Sequence, residues 1–168
     1  DWDEAGHIPI DLWPKAAEVG LLGAGYPEQY GGMETDSWHN WIINEELSRV
    51  GVGGLSASLM VHGIGLPPVI NWGTEEMKAE IAPPVLRGES WISLGITEPG
   101  GGSDVASLKT TAVRDGDHYI VNGSKTYITG GMRANYVSTA VRTGGEGATG
   151  VSMLLIPCLL YTSPSPRD

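Results

Sequence analysis

The chain has 168 residues, is 40% hydrophobic and carries a formal net charge of −10. This is enough apolar material for one ordinary domain or two small ones, and the acidity argues against nucleic acid and anionic membranes, which need a basic face. No stretch approaches about 18 uninterrupted apolar residues, so no membrane span is expected, and the single cysteine, Cys158, leaves no internal disulfide and no cysteine-based metal site.

The first half reads as helical. Pro9 lies near the start of a segment in which Leu12, Ala16 and Val19 recur at i, i+4 and i+7, and Gly20 is its stop. A glycine-rich loop follows through Gly32. Thr35 or Asp36 can cap the next helix, where Trp38, Trp41, Ile42 and Glu45 fall at helical spacing. The expectation for that aromatic face is a packed core stripe. A third helix is predicted over Leu55 to Ile70, interrupted by Gly63 and Gly65 and bent at Pro67-Pro68. His62 on it reads as a satisfied helix histidine. Thr74 caps a fourth helix, and Glu75 and Glu76 in its first turn favour the helix dipole. The four histidines, His7, His39, His62 and His118, are scattered, so a zinc site is not expected. No Gly-x-Ser-x-Gly elbow is present, which sets aside a serine hydrolase.

From Trp91 the period changes, with a boundary near Gly88-Glu89. Trp91 to Ile96 has strand-like composition. Leu108 to Val113 alternates, Asp115-Gly116 supplies a turn, and His118 to Val121 alternates again before Asn122-Gly123, a hairpin signal. Thr126 to Thr129, Tyr136 to Arg142 and Val151 to Ile156 continue the series, with Gly144 to Gly147 as a loop. Such a run of short strands predicts an antiparallel barrel or sandwich. The fold class is therefore α+β: helical over 1–89, then antiparallel β over 90–157. Cys158 to Asp168 breaks the strand pattern and reads as an adapter-derived tail, a natural disordered tail being the alternative. The chain opens on Asp1 rather than methionine, which leaves a targeting segment upstream open.

The most informative stretch is Gly95-Ile-Thr-Glu-Pro-Gly-Gly-Gly-Ser-Asp-Val-Ala-Ser107, where the apolar run ends in a polar, glycine-rich turn. Three consecutive glycines remove every Cβ that would keep a ligand off the backbone. Successive amides in such a turn can form a concavity for an anion. A strand that presents its backbone and a threonine to a flat ring, followed by a phosphate-cradling loop, suits a dinucleotide cofactor. A flexible surface turn is the competing reading of the glycines alone.

This stretch resembles the acyl-CoA dehydrogenase signature, small-apolar-Thr-Glu-x-x-Gly-Gly-Ser-Asp. Three other segments resemble elements of the same family in the same order. Gly25-Tyr-Pro-Glu-Gln-Tyr-Gly-Gly32 is similar to its Pro-Glu-x-x-Gly-Gly loop, and Gly73-Thr-Glu-Glu-Met-Lys78 to its Gly-Thr-Glu-Glu-x-Lys helix start. Val121-Asn-Gly-Ser-Lys-Thr-Tyr-Ile-Thr129 is similar to its Asn-Gly-x-Lys-x-(Trp or Tyr)-Ile-Thr element.

The resemblance implies FAD as cofactor and α,β-dehydrogenation of acyl-CoA thioesters, with electrons passing to an electron-transfer flavoprotein or a similar acceptor. It also implies that the β part over 90–157 is an incomplete antiparallel β-barrel, with a C-terminal helical bundle missing, and a homo-oligomeric parent protein, in the cytoplasm or, in a eukaryote, the mitochondrial matrix. Carried over by position, the backbone of Ile96 and the hydroxyl of Thr97 would bind the pyrimidine end of the flavin. Thr129 would place its hydroxyl at the hydride-accepting nitrogen, and Tyr127 and Ile128 would lie beside the ring system. Gly102 and Ser103 would meet the pyrophosphate, Ser103 also the acyl-CoA, and Leu94 and Gly95 would line the cofactor as strand backbone. For Thr97 and Thr129 the competing reading is a threonine chosen for β propensity. Glu98 and Asp104 read as organisers of the turn. No catalytic residue is assigned in this chain, because the family's glutamate base comes from the C-terminal bundle. An acyl-CoA oxidase or flavin monooxygenase of the same fold, or a non-catalytic nucleotide- or CoA-binding module, are the alternatives.

Overall fold

A computed structural model describes residues 2–5 and 7–158. The tail expected from Cys158 onward therefore lies, beyond its first residue, outside the described residues. The chain divides into two compact units between Trp91 and Ile92.

The first unit is helical: α1 (Trp2–Ala5), α2 (Leu12–Glu18), α3 (Ser37–Arg49), α4 (Gly53–Leu59), α5 (His62–Gly65), α6 (Pro67–Trp72) and α7 (Glu75–Leu86). Trp13, Ala16, Leu22 and Leu59 form a buried cluster, and Trp91 sets its ring edge-on to Trp13 at 5.8 Å. Ile81, Ala82, Val85 and Leu86 bury one face of α7. Helix ends follow local chemistry. The Asp36 carboxylate accepts from the amides of Trp38 and His39, and the Thr74 hydroxyl accepts from that of Met77, so each side chain satisfies donors the helix leaves open. Gly88 has φ +71°, and a Cβ there would lie 2.5 Å from the carbonyl carbon of Trp13, so only glycine fits. The expected third helix is three pieces, α4 to α6, with Pro67 opening α6 at a position where its missing amide costs nothing.

Two expectations fail in this unit. Val19 falls beyond the last turn of α2 and is exposed. The aromatic stripe of α3 is not core: Trp38, Trp41 and Ile42 are 70%, 61% and 53% exposed, and no residue of the helix is buried. Helical spacing says which residues share a face, but not whether anything covers it. No single helix among the described residues is long and apolar enough to cross a membrane. The pair α4 and α5–α6, bent by 48°, passes on length and composition together. It buries Leu59, His62, Leu66 and Val69.

The second unit is a five-stranded sheet: β1 (Ile92–Gly95), β2 (Thr111–Asp115), β3 (His118–Asn122), β4 (Tyr136–Arg142) and β5 (Val151–Pro157). β4 is central. It pairs antiparallel with β5 along its whole length, parallel with β1 from Tyr136 to Thr139, and parallel with β2 at Arg142. β2 and β3 form an antiparallel hairpin around Gly116. The sheet is thus mixed rather than wholly antiparallel. Alternation sets which face a side chain takes, but the partner's direction depends on the connection, and the chain between β1 and β4 is long enough for a parallel return.

Three local expectations are corrected. β2 starts at Thr111, not Leu108, because the amides of Lys109 and Thr110 are committed to the Glu98 carboxylate. Asn122-Gly123 does not turn a hairpin. A Cβ on Gly123 would lie 2.6 Å from the Cα of Thr110, so the glycine serves close backbone approach. Thr126 to Thr129 is not a strand, since Tyr127 takes a left-handed backbone, φ 56°, which interrupts extended chain.

Candidate functional site

The glycine-rich turn leaves β1 directly. Glu98 and Gly101 exchange two backbone hydrogen bonds of 3.0 Å, which closes a tight turn over Pro99 and Gly100. Beyond it, Gly102 lies against Thr97: a Cβ at Gly102 would come within 3.1 Å of the Thr97 methyl. Gly100 and Gly101 have open space where a Cβ would stand, so their lack of side chains answers to no packing within the protein.

Glu98 is buried beneath this turn. Its carboxylate accepts from the Thr110 hydroxyl (2.6 Å), the Lys109 amide (2.7 Å), the Thr110 amide (2.8 Å) and the Lys125 ammonium (2.9 Å). Burial by itself would raise the carboxyl's pKa. The four donors outweigh it and hold the group at about 2. Glu98 therefore organises the turn, as its sequence position suggests. A carboxylate this well satisfied is a poor proton acceptor at neutral pH.

The segment that follows Gly123 runs beside the turn and is fastened to it and to β1 in three places. Lys125 Nζ donates to the Ile96 carbonyl at 3.0 Å as well as to Glu98. The Thr126 amide donates to the Thr97 carbonyl at 2.9 Å. The Ser93 hydroxyl, fully buried in β1, donates to the Thr129 carbonyl at 2.8 Å. Between these anchors Tyr127 stands 91% exposed.

The residues singled out from the sequence thus separate into groups. Ile96 and Thr97 are brought beside Tyr127, Ile128 and Thr129 by the hydrogen bonds just described. Leu94 and Gly95 belong to β1, opposite Ser138 and Thr139. Gly95 is buried, and a Cβ there would lie 2.9 Å from Val137, so the glycine gives room to that side chain, while the Lys125 stem at 3.7 Å would be in ordinary contact. Ser103 and Asp104 are exposed at the bend before the short 3-10 turn Val105–Ser107. Arg142 steadies that turn, donating to the carbonyls of Leu108 (3.1 Å) and Ala106 (2.6 Å). His62 makes a 3.0 Å hydrogen bond with the Leu22 carbonyl in the helical unit and is structural.

Sequence reasoning missed the roles of Lys125, Ser93 and Arg142. The one available signal was Lys125 itself, a charged residue at a fixed place in the Asn-Gly-x-Lys element. Its partner Glu98 lies 27 positions away, and no local pattern links them.

The arrangement presents an aromatic ring, a threonine and a glycine turn on the outer side of a polar scaffold. These groups fit a flavin dinucleotide: a flat face for the ring system, a hydroxyl for its polar edge, and uncrowded backbone for the pyrophosphate.

Comparison with known proteins matches residues 1–89 to the N-terminal domain of acyl-CoA dehydrogenases and residues 93–164 to their middle domain. The chain is 39% identical to the acyl-CoA dehydrogenase AFT10-1 of Alternaria alternata, over 93% of this chain and 40% of that protein. Among solved structures, a candidate acyl-CoA dehydrogenase of Mycobacterium smegmatis is 52% identical at a TM-score of 0.89, covering 94% of this chain and 42% of that one. The FAD complex of PigA is 29% identical at a TM-score of 0.86, covering 93% and 42%. The chain therefore spans about two fifths of the length of these relatives.

Proposed function

The chain belongs to the acyl-CoA dehydrogenase family, and on that premise we propose that its β unit holds FAD in a protein that dehydrogenates acyl-CoA thioesters at the α,β position. The observation that carries this reading is the fastening of the Lys125–Thr129 segment to β1 and to the glycine turn that follows it, by the Ser93, Lys125 and Thr126 hydrogen bonds. When bound, the flavin supplies the two-electron acceptance that the reaction needs.

The residues divide the binding. The Ile96 backbone and the Thr97 hydroxyl orient the polar edge of the ring system, with Leu94 and Gly95 behind them as strand backbone. Tyr127 and Ile128 flank it, and Thr129 offers a hydroxyl to its reactive edge. Gly102 lets the pyrophosphate approach the backbone, and Ser103 serves both that group and the acyl-CoA. A base must also take the α-proton of the thioester, whose developing enolate charge needs stabilisation. Glu98 is withheld from that task by its four donors and a pKa of about 2. The base is assigned to residues outside this chain, in the part of the relatives' length that it does not span. The electrons taken from substrate leave through an electron-transfer flavoprotein or a similar acceptor.

The test is the whole protein purified with FAD. It is expected to be yellow, to bleach anaerobically on addition of a mid-chain acyl-CoA, and to turn over with an artificial electron acceptor. A colourless protein that still binds CoA points to a non-catalytic binding module. Appreciable turnover by residues 1–157 alone contradicts the placement of the base.

A further inference from the structure

We propose that Lys125 is the positioning residue of the flavin site, holding the Tyr127–Thr129 segment in register with the Thr97–Ser103 turn before any cofactor arrives. The inference rests on the flavin reading above and adds a residue that the reading does not use. Lys125 and Glu98 form a pair whose side chains are only 11% and 10% exposed. The lysine stem passes over Gly95, where a Cβ would lie 3.7 Å from its Cγ. Its ammonium then reaches both the Ile96 carbonyl and the Glu98 carboxylate.

Glu98 is a fixed post, because the amides of Lys109 and Thr110 and the Thr110 hydroxyl hold it independently of Lys125. The Thr126 and Ser93 hydrogen bonds are neutral and single, whereas that of Lys125 is charge-assisted and joins two acceptors. Detaching the segment would leave the Glu98 carboxylate buried without its counter-charge, which is costly. The consequence falls on Tyr127. A non-glycine residue in the left-handed region persists only where its surroundings over-determine it. Anchors at 125–126 on one side and at 129 on the other do so, leaving the ring exposed. Glu98 is buried and the Lys125 side chain only 11% exposed, while Tyr127, Thr129 and Ser103 are exposed, so the pair acts through those residues.

The experiment compares the whole protein with its Lys125→Met, Lys125→Arg and Thr110→Val variants. FAD affinity is read by quenching of flavin fluorescence, and apoprotein stability by thermal unfolding. Lys125→Met is expected to weaken FAD binding about tenfold or more, as loss of a group that orients ligating residues does, and to shift the visible flavin band. Lys125→Arg, which keeps the charge, is expected to recover part of both. Thr110→Val removes a hydrogen bond from the same carboxylate but leaves the 125–129 segment attached. It is expected to lower the unfolding temperature while FAD affinity stays within about twofold, a change worth only about 0.4 kcal/mol.

Unchanged affinity and spectrum in Lys125→Met overturn the proposal, as does an equal loss of affinity in Thr110→Val, which would mark a general structural effect. If Lys125→Met does not fold, the double variant Glu98→Gln with Lys125→Met, neutral on both sides, carries the same comparison. An unmodified protein that binds no FAD overturns the flavin reading and this inference with it. One that binds FAD, beside a Lys125→Met variant that binds equally well, overturns this inference alone.

Discussion

The two units bury different materials. The helical unit covers mostly hydrocarbon: Trp13, Leu22, Leu59, Leu66, Val69, Ile81, Val85 and Leu86 make its interior, and His62 and Tyr30 are its buried ionisable side chains among the described residues. The β unit buries Ile92, Ala112, Ala140 and Val141, but also Ser93, Thr110, Ser138, Thr139 and the Glu98–Lys125 pair. Hydrocarbon burial is non-directional and tolerates loose register, whereas hydroxyls and charges are worth burying only if every partner is in place. The first unit is thus held by area. The second is held by a network with specific geometry, and that network lies under the residues proposed to bind the cofactor.

The sharpest way to break this contrast is to remove one group from the network. Glu98→Ala leaves two amides and the Thr110 hydroxyl without their acceptor, and the Lys125 ammonium with the Ile96 carbonyl but no counter-charge. It should destabilise the β unit by about 3–5 kcal/mol, the range for breaking a buried ion pair. That equals the cost of emptying a large aromatic site such as Trp13→Ala, about 3–5 kcal/mol. Chemical denaturation of both variants checks it. A loss below about 1 kcal/mol, the level of an exposed pair, would show that area governs the β unit as well.

Acid should separate the units next. Burial lowers the His62 pKa below 6.5, only partly opposed by the Leu22 and Leu59 carbonyls. The folded helical unit then takes up a proton less readily than the unfolded chain. Its stability is full above about 6.5 and declines as pH falls below that value. The Glu98 carboxyl is depressed from 4.5 to about 2, so its contribution is full above about 4.5 and is lost only between there and about 2. Amide hydrogen exchange followed from pH 7 to pH 3 should show α4 to α6 loosening before β1 and β2. His62→Asn should abolish the earlier phase. Simultaneous loosening in the unmodified chain would refute the separation.

The smallest effect is expected on α3. Trp38 and Trp41 touch edge to face at 6.1 Å but are exposed. Replacing both by serine should change the unfolding free energy of this chain by about 1 kcal/mol or less, the scale of one aromatic pair. It should also raise solubility, since contiguous exposed apolar surface promotes association. A loss comparable to Trp13→Ala would mean that the face is packed after all.

What could be read in advance follows the same division. Thr74 was legible as a cap, and Asp36 as one of two candidates beside Thr35, because capping is decided within three residues. The bounds of β4, and those of β5 to within one residue, were legible because runs of strand-favouring residues between glycine-containing loops leave little choice. The fate of Trp38 and Trp41 was not, because spacing defines a face and not its covering. Tyr127 was misread as strand because its neighbours favour extended chain, and the left-handed turn is imposed by bonds to Ile96, Thr97, Glu98 and Ser93.

By itself the sequence determined the family, the change from helical to strand periodicity near Trp91 and the glycine turn, since each is written in composition or in short contiguous motifs. Tertiary structure alone decided the mixed sense of the sheet, the exposure of α3, and the burial of Lys125 against Glu98. Each of those depends on which distant segments meet, and the electrostatic cost of a buried charge takes its sign only once its partner is in place.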